Sequence, residues 1–399
     1  MKKNVSLFIL TLLLLFSCDT GVDTKGDDFI DSEPLPNYKA TIGVSQDSGN
    51  AVVDLLDSSS SGEYEKLTAL KAAAYSDTHR FAGWYDSISG GNFVSGRNAY
   101  TFYLMEETNL YALFIDAPTY PASNVDSYTP GDGWNISWRD EFSNGNFDLN
   151  EFDGGDTWDR EVMSYPPNAE WQVYTGEAET AVEEDGYMII NVTRINNYNR
   201  QGSYKSARVI SNPGGYKGDS GSKGFTFKYG KIAARIQLPY GKGMWPAFWM
   251  LGDSIDETGG NVGWPSCGEI DILESGFEIS DDYNFGHADI GGTIHYDTSV
   301  DNTQEAWKYI QGKTKLNSGI YADEFHVFEL EWSETTLTWS IDGVPYHTQD
   351  ISGPEFSEFH ENFYMIFNVA VGGNLTFTPD DTTKFPTYMY VDWVRYYEK

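Results

Sequence analysis

The chain has 399 residues, room for two domains with a sizeable core, and 16% of them are aromatic, including 12 Trp and 27 Tyr. Its formal charge of -34 at pH 7 repels phosphate backbones and anionic headgroups, which excludes nucleic acid and polybasic membrane adhesion and leaves a neutral substrate as the easier partner, unless the charge serves only solubility. Frequent Gly, short apolar segments and many Trp and Tyr suit an all-β protein with aromatic-lined surfaces.

Met1-Lys2-Lys3, an apolar run from Leu7 to Phe16 and then Ser17-Cys18 have the charged, apolar and small-residue parts of a secretory signal, too short for a stable membrane span. Leu15-Phe16-Ser17-Cys18 resembles a bacterial lipobox, the alternative being a plain signal peptide with a chance cysteine. The resemblance implies that Cys18 carries lipid and becomes the mature N-terminus, which predicts an exported protein anchored to the bacterial cell envelope. Cys267 is then the only thiol left, so no intramolecular disulfide can form.

Residues 19–37 are rich in Asp, Gly and Pro without apolar periodicity and read as a flexible tether. Over 38–116 short alternating segments follow. Phe81-Ala82-Gly83-Trp84-Tyr85-Asp86, Gly90-Gly91 and Leu110-Tyr111-Ala112-Leu113-Phe114 resemble internalin-type B repeats, small β modules of bacterial surface proteins. Such a module could be a spacer, a substrate-binding accessory or an attachment element. Pro118, Pro121 and Pro130 among polar residues mark 117–131 as an interdomain linker, and 132–399 forms one block.

In that block strand-like runs recur at 186–193, 229–238, 269–273, 292–296, 326–332, 337–341, 364–371 and 389–397, with turn residues between them and no helical periodicity. This pattern predicts an antiparallel sandwich. Asp342-Gly343 between two apolar segments is a two-residue hairpin signal.

The chemistry centres on Gly268-Glu269-Ile270-Asp271-Ile272-Leu273-Glu274-Ser275. Alternate residues of a strand share a face, so Glu269 and Asp271 point one way and Glu274 the other, unless one extra residue intervenes. A β-bulge around Ile272 and Leu273 would return Glu274 to the face of the other two acids, and we predict one there. The glutamate Cα atoms would then lie roughly 13 Å apart, four steps of about 3.3 Å. Long side chains leaning together can close this to the roughly 5 to 5.5 Å of a retaining glycosidase. Crowded carboxyls cannot all ionise, which leaves one protonated as acid and another free as nucleophile. An acid-rich strand end can also be a solvated edge or a calcium site, but the apolar Ile270, Ile272 and Leu273 place these acids on a strand with a buried face.

This segment resembles glycoside hydrolase family 16, whose signature is Glu-x-Asp-x-x-Glu on one strand of a β-jelly roll. Its flanks agree: Trp138-Arg139-Asp140-Glu141-Phe142, 228–236, Gly243-Met244-Trp245-Pro246-Ala247-Phe248-Trp249, Trp264-Pro265-Ser266-Cys267-Gly268, 368–373 and Val391-Asp392-Trp393-Val394-Arg395 follow the family's order, as in its laminarinase-like branch. The resemblance implies that Glu269 is the nucleophile, Glu274 the general acid and then base, and Asp271 the group that tunes Glu269, with retention of anomeric configuration and no catalytic cofactor. It also implies polar substrate contacts at Asn168, Arg235, His295 and Asn368, and a structural calcium near the chain ends at Glu141 and Asp392. A structural hydrogen-bonding role is the alternative for each polar group.

Trp245, Trp249 and Trp264 are candidate platforms for sugar rings. Trp245 and Trp249 share one strand parity and Phe248 and Met250 the other, so one of these pairs fills the core. The sequence departs from many relatives at Ala233, where they have Glu, and at Cys267, where some have an aromatic residue. His287 and His295 lack companions at ligand spacing for a metal. The expected activity is an endo-acting β-1,3-glucanase, with mixed-linkage β-1,3-1,4-glucan as a further substrate, acting as a monomer. The alternatives are a red-algal galactan hydrolase, which shares the acid spacing, and a non-catalytic glucan-binding surface protein.

Overall fold

The computed structural model describes residues 35–399 except 46–51, 56–61, 76–78, 90, 96–98, 117–125, 149–156, 197, 212–223, 256–260, 279–283, 299–305 and 381–382. The signal-like segment, Cys18 and most of the tether lie outside the described residues. Within them the regular secondary structure is almost all strand, as its alternating patterns require.

Two small sheets form the segment 37–116. One runs Gly62–Glu65, Asn37–Val44, Thr108–Asp116, His79–Tyr85 and Phe93–Ser95, with Asn37–Val44 parallel to Thr108–Asp116; the other joins Val52–Leu55, Ala69–Tyr75 and Ala99–Tyr103. They enclose a separate core around Trp84, Leu70, Phe102, Leu110 and Phe114. Having its own core makes this segment a β module in its own right.

The remainder is a two-sheet jelly roll. The first sheet runs Asp159–Glu161, Arg208–Ile210, Phe363–Val371, Met244–Gly252, Glu269–Glu274, Asp289–Asp297 and Trp307–Lys315. The second runs Gln172–Tyr174, Tyr204–Ser206, Tyr187–Arg194, Thr387–Glu398, Gly230–Gln237, His326–Trp332, Thr336–Ile341 and Val344–Asp350. Period-two alternation fills the space between them: Phe363, Met365, Phe367 and Val369 of one sheet meet Ile232, Ala234, Ile236 and Leu330 of the other. The stacked rings of Phe248 and Phe367, 4.4 Å apart, lie in the same core. Asp342 and Gly343 both have positive φ, 51° and 77°, the backbone of the expected hairpin turn between Thr336–Ile341 and Val344–Asp350.

Of the linker expected over 117–131, residues 117–125 lie outside the described residues. From Asp126 onward the chain lies on the outer face of the second sheet, where Asp126 pairs with Arg395 at 2.8 Å and the Tyr128 ring packs 5.3 Å from that of Trp393. Lys231 Nζ also donates to the carbonyl of Pro130 at 3.0 Å. An aromatic ring and a charge pair give this stretch more to bind than Pro and Ser content indicates.

Candidate active site

The acid strand Glu269–Glu274 lies inside the first sheet, between Met244–Gly252 and Asp289–Asp297. Its register supplies the predicted bulge. Asp271 pairs with Thr293 but Glu274 with Gly291, and on the other side Trp249 and Phe248 pair with Asp271 and Leu273, so one residue is inserted between. Ile272 and Leu273 both point into the core while Glu269, Asp271 and Glu274 line one cleft. The second sheet helps to hold this bend: the indole of Trp339 donates to the carbonyl of Asp271 at 2.8 Å. Gly292 makes room for that indole, since a Cβ there would stand 2.5 Å from a ring carbon of Trp339.

The cleft has a volume of about 780 Å³. Three indoles frame its acids. Trp264 Nε1 donates to Glu269 Oε2 at 2.7 Å, Trp245 Nε1 to Glu274 Oε1 at 3.1 Å, and Trp249 Nε1 to Asn368 Oδ1 at 2.6 Å. The parity question is thereby answered: Phe248 and Met250 fill the core, and Trp245 and Trp249 face the cleft. Each indole spends its N–H on a polar partner, and all three side chains line the cleft.

His295 sits opposite the acids. Its Nε2 lies 3.5 Å from Glu269 Oε1 and 3.3 Å from Asp271 Oδ2, while its Nδ1 accepts from Trp307 Nε1 at 3.1 Å. An indole only donates, so Nδ1 is the acceptor of this pair and Nε2 faces the carboxyls.

Desolvation is the main cause that pushes Glu269, Asp271 and Glu274 each up to about 8. The charge on Asp271 adds to it at both glutamates; His295 and the indole hydrogen bonds act the other way. The three acids therefore titrate as one coupled group that still holds protons near neutral pH.

On the side of Phe363–Val371 the wall is polar and buried. Asn368 Nδ2 donates to Tyr174 OH at 3.0 Å, Tyr174 OH to Glu170 Oε2 at 3.0 Å, and Gln172 Nε2 to Glu170 Oε2 at 2.6 Å. Arg208, paired with Glu161, stacks 4.8 Å from the Trp249 ring centre. Asn168 closes this end with a left-handed backbone at φ 60°. Its side-chain amide reaches Glu170 at 3.4 Å. Of the residues expected to contact substrate, Asn168, Trp245, Trp249, Trp264, His295 and Asn368 line the cleft.

Arg235 does not. It belongs to Gly230–Gln237 of the second sheet, where Ile232, Ala234 and Ile236 occupy the core face and Arg235 takes the outer one, ion-paired with Asp392 and stacked on Phe325. Arg235→Ala should therefore leave kcat unchanged and cost about 3 kcal/mol in a denaturant titration, because it strands a half-buried carboxylate. The expected calcium ligands fail as well. Asp392 is held by Arg235, and Glu141 accepts two hydrogen bonds from Arg395, each at 2.8 Å, so both carboxylates already have arginine partners. A hard cation needs several free oxygens, and these two residues do not offer them.

Sequence reading missed Glu170, Tyr174, Arg208, Trp307 and Tyr309, all of which line the cleft. Only the aromatics left a signal, as alternate residues of Trp307-Lys308-Tyr309-Ile310.

Three carboxyls on one wall of an aromatic-lined cleft suit a glycoside hydrolase. The chain belongs to glycosyl hydrolases family 16, whose family model matches residues 169–395. Enzymes of this family need no cofactor for catalysis. Glucan endo-1,3-beta-glucosidase A1 of Niallia circulans is 26% identical over 92% of this chain, which spans 57% of that protein's length. Glucan endo-1,3-beta-glucosidase of Cryptopygus antarcticus is 32% identical over 60% of this chain and 82% of its own. Among solved structures, the catalytic domain of an endo-1,3-beta-glucanase (laminarinase) from Thermotoga petrophila RKU-1 is 33% identical with TM-score 0.51, covering 67% of this chain and 98% of that one. A family 16 protein of a Bacteroides ovatus mixed-linkage glucan locus, solved with a product, is 31% identical with TM-score 0.52, covering 65% of this chain and 100% of that one.

Proposed function

We propose that the chain is a retaining endo-glucanase that cleaves β-1,3-glucan and also accepts mixed-linkage β-1,3-1,4-glucan. The observation that carries this reading is the row of Glu269, Asp271 and Glu274 on one face of a bulged strand, beneath three tryptophans. Glu269 attacks the anomeric carbon and becomes esterified to the sugar, while Glu274 gives its proton to the departing oxygen. Glu274 then takes a proton from the water that releases the sugar. Asp271, beside Glu269 and within reach of His295, tunes the nucleophile through its charge. The names of the similar glucanases support glucan over a red-algal galactan.

Product analysis on laminarin, lichenan, agarose and carrageenan tests the substrate class, and cleavage of agarose or carrageenan alone would overturn it. The pH profile of kcat/KM should be a bell. Activity needs one carboxyl ionised and one protonated, and burial moves both changes upward, so both limbs should lie above the ordinary glutamate range. A rising limb near pH 4 would contradict that.

The signal-like N-terminus and Cys18 support a lipid-anchored protein of the bacterial envelope, with the β module 37–116 as a spacer between anchor and enzyme. Loss of membrane association in Cys18→Ala checks the anchor, and glucan binding after deletion of 38–116 checks the spacer. A single species of monomer mass in sedimentation is expected.

A further inference from the structure

The two arms of the cleft beside the acid strand are built on opposite principles. Toward Phe363–Val371 the groups are buried and bonded to one another, Trp249 to Asn368, Asn368 to Tyr174 and Tyr174 to Glu170. Toward the sheet edge, Trp307–Lys315 turns Trp307 and Tyr309 into the cleft at 46% and 59% exposure. Their rings lie 5.8 Å apart and only 30° from parallel, and Trp264 extends the row 5.6 Å from Trp307. Neither ring serves the core, which this strand reaches through Ile310. Exposed rings on an edge strand invite association with other chains, so their place inside the cleft calls for a ligand. The row is also tied to the acids, since Trp307 stacks on His295 at 13° and donates to its Nδ1.

We propose that Trp307 and Tyr309 form the subsite for the leaving-group half of the glucan chain, and that this arm sets the preference for long chains. The inference rests on the glucanase reading and adds a direction to it. The glycone half stays bound through both chemical steps and strains toward an oxocarbenium ion, so it needs directional hydrogen bonds from rigid groups, such as the buried arm provides. The other half must leave before water can reach the glycosyl-enzyme. When the glycosidic C–O bond breaks and Glu274 passes its proton to that oxygen, the freed chain is held mainly by the exposed ring faces of Trp307 and Tyr309 and can slide away. Flat aromatic faces give contact area without directional bonds to break.

The test compares the full chain with Trp307→Ala, Tyr309→Ala, the double variant and Trp307→Phe on two substrates. Laminarin spans both arms; a nitrophenyl β-glycoside of laminaribiose places only nitrophenol in the leaving-group arm. Each lost ring should lower kcat/KM on laminarin by about three- to tenfold, mainly through KM, and by more than on the nitrophenyl glycoside; the comparison is read at Tyr309→Ala, since Trp307 also holds His295 by a hydrogen bond. Trp307→Phe keeps a ring face and should recover most of the KM. Equal losses on both substrates, or no loss on laminarin in the double variant, would overturn the subsite while leaving the glucanase reading intact. A wild-type chain inert on both substrates would overturn the glucanase reading, and the subsite with it.

Discussion

Replacing Glu269 by glutamine should lower kcat on laminarin by on the order of 10⁴-fold or more, because an amide cannot form the glycosyl ester through which a retaining reaction passes. Glutamine keeps the size of the side chain and an oxygen to accept from the Trp264 indole, so the loss reports chemistry and not collapse of the cleft. Reducing-sugar release at the wild-type rate would sink the mechanism. The same variant should be more stable than the wild type at alkaline pH. Glu269 has its carboxyl raised to about 8 in the folded chain, so between the ordinary glutamate value and pH 8 the folded state binds more protons than the unfolded one. Stability therefore falls as pH rises through that window. A neutral side chain removes the penalty, which we put at about 1–3 kcal/mol after discounting for coupling among the acids and for the 15% of the side chain left exposed. Thermal melts of both proteins at pH 6 and pH 9 should show a difference that grows with pH.

Replacing Glu274 by alanine should lower the rate on laminarin by at least about 10³-fold, since the departing sugar oxygen then leaves without a proton. A dinitrophenyl glycoside departs as a stable anion and needs no such proton, so its first step should survive and the glycosyl-enzyme should accumulate as a burst. Azide, entering the space that Glu274 vacates, should attack the anomeric carbon on that face, displace the Glu269 carboxylate and give a glycosyl azide of retained β configuration. Proton NMR of the product reads the configuration. An α-azide would mean that Glu274 is the nucleophile and the roles are reversed.

The bulge shows how much of this site was legible in the chain. Glu269, Asp271 and Glu274 fit one face only if a residue is inserted between Asp271 and Glu274, and Ile272 and Leu273 are the apolar pair that both turn inward. Parity likewise paired Trp245 with Trp249, and Asp342-Gly343 declared its turn through the left-handed backbone it needs. The misplaced residues failed for a shared reason. Arg235 sits at the spacing of a strand residue that could face either side, and its partner Asp392 is 157 positions away. Glu141 reads as a free carboxylate until Arg395, 254 positions on, is brought beside it. Trp307 and Tyr309 lie in an edge strand whose Lys, Gln and Thr mask its alternation.

By itself the sequence determined the all-β character, the bulged acid row and the relative direction of neighbours along each strand, because the two-residue period is a local property of the backbone. Only the tertiary structure decided which sheet face became the cleft and which carboxylates were taken up by arginines. It also decided that one arm of the cleft is a buried hydrogen-bonded wall and that the other carries exposed aromatic rings. Those outcomes depend on how two sheets built from distant segments pack, and packing assigns the burial and the charge partners that turn an acid into a catalyst or a strut.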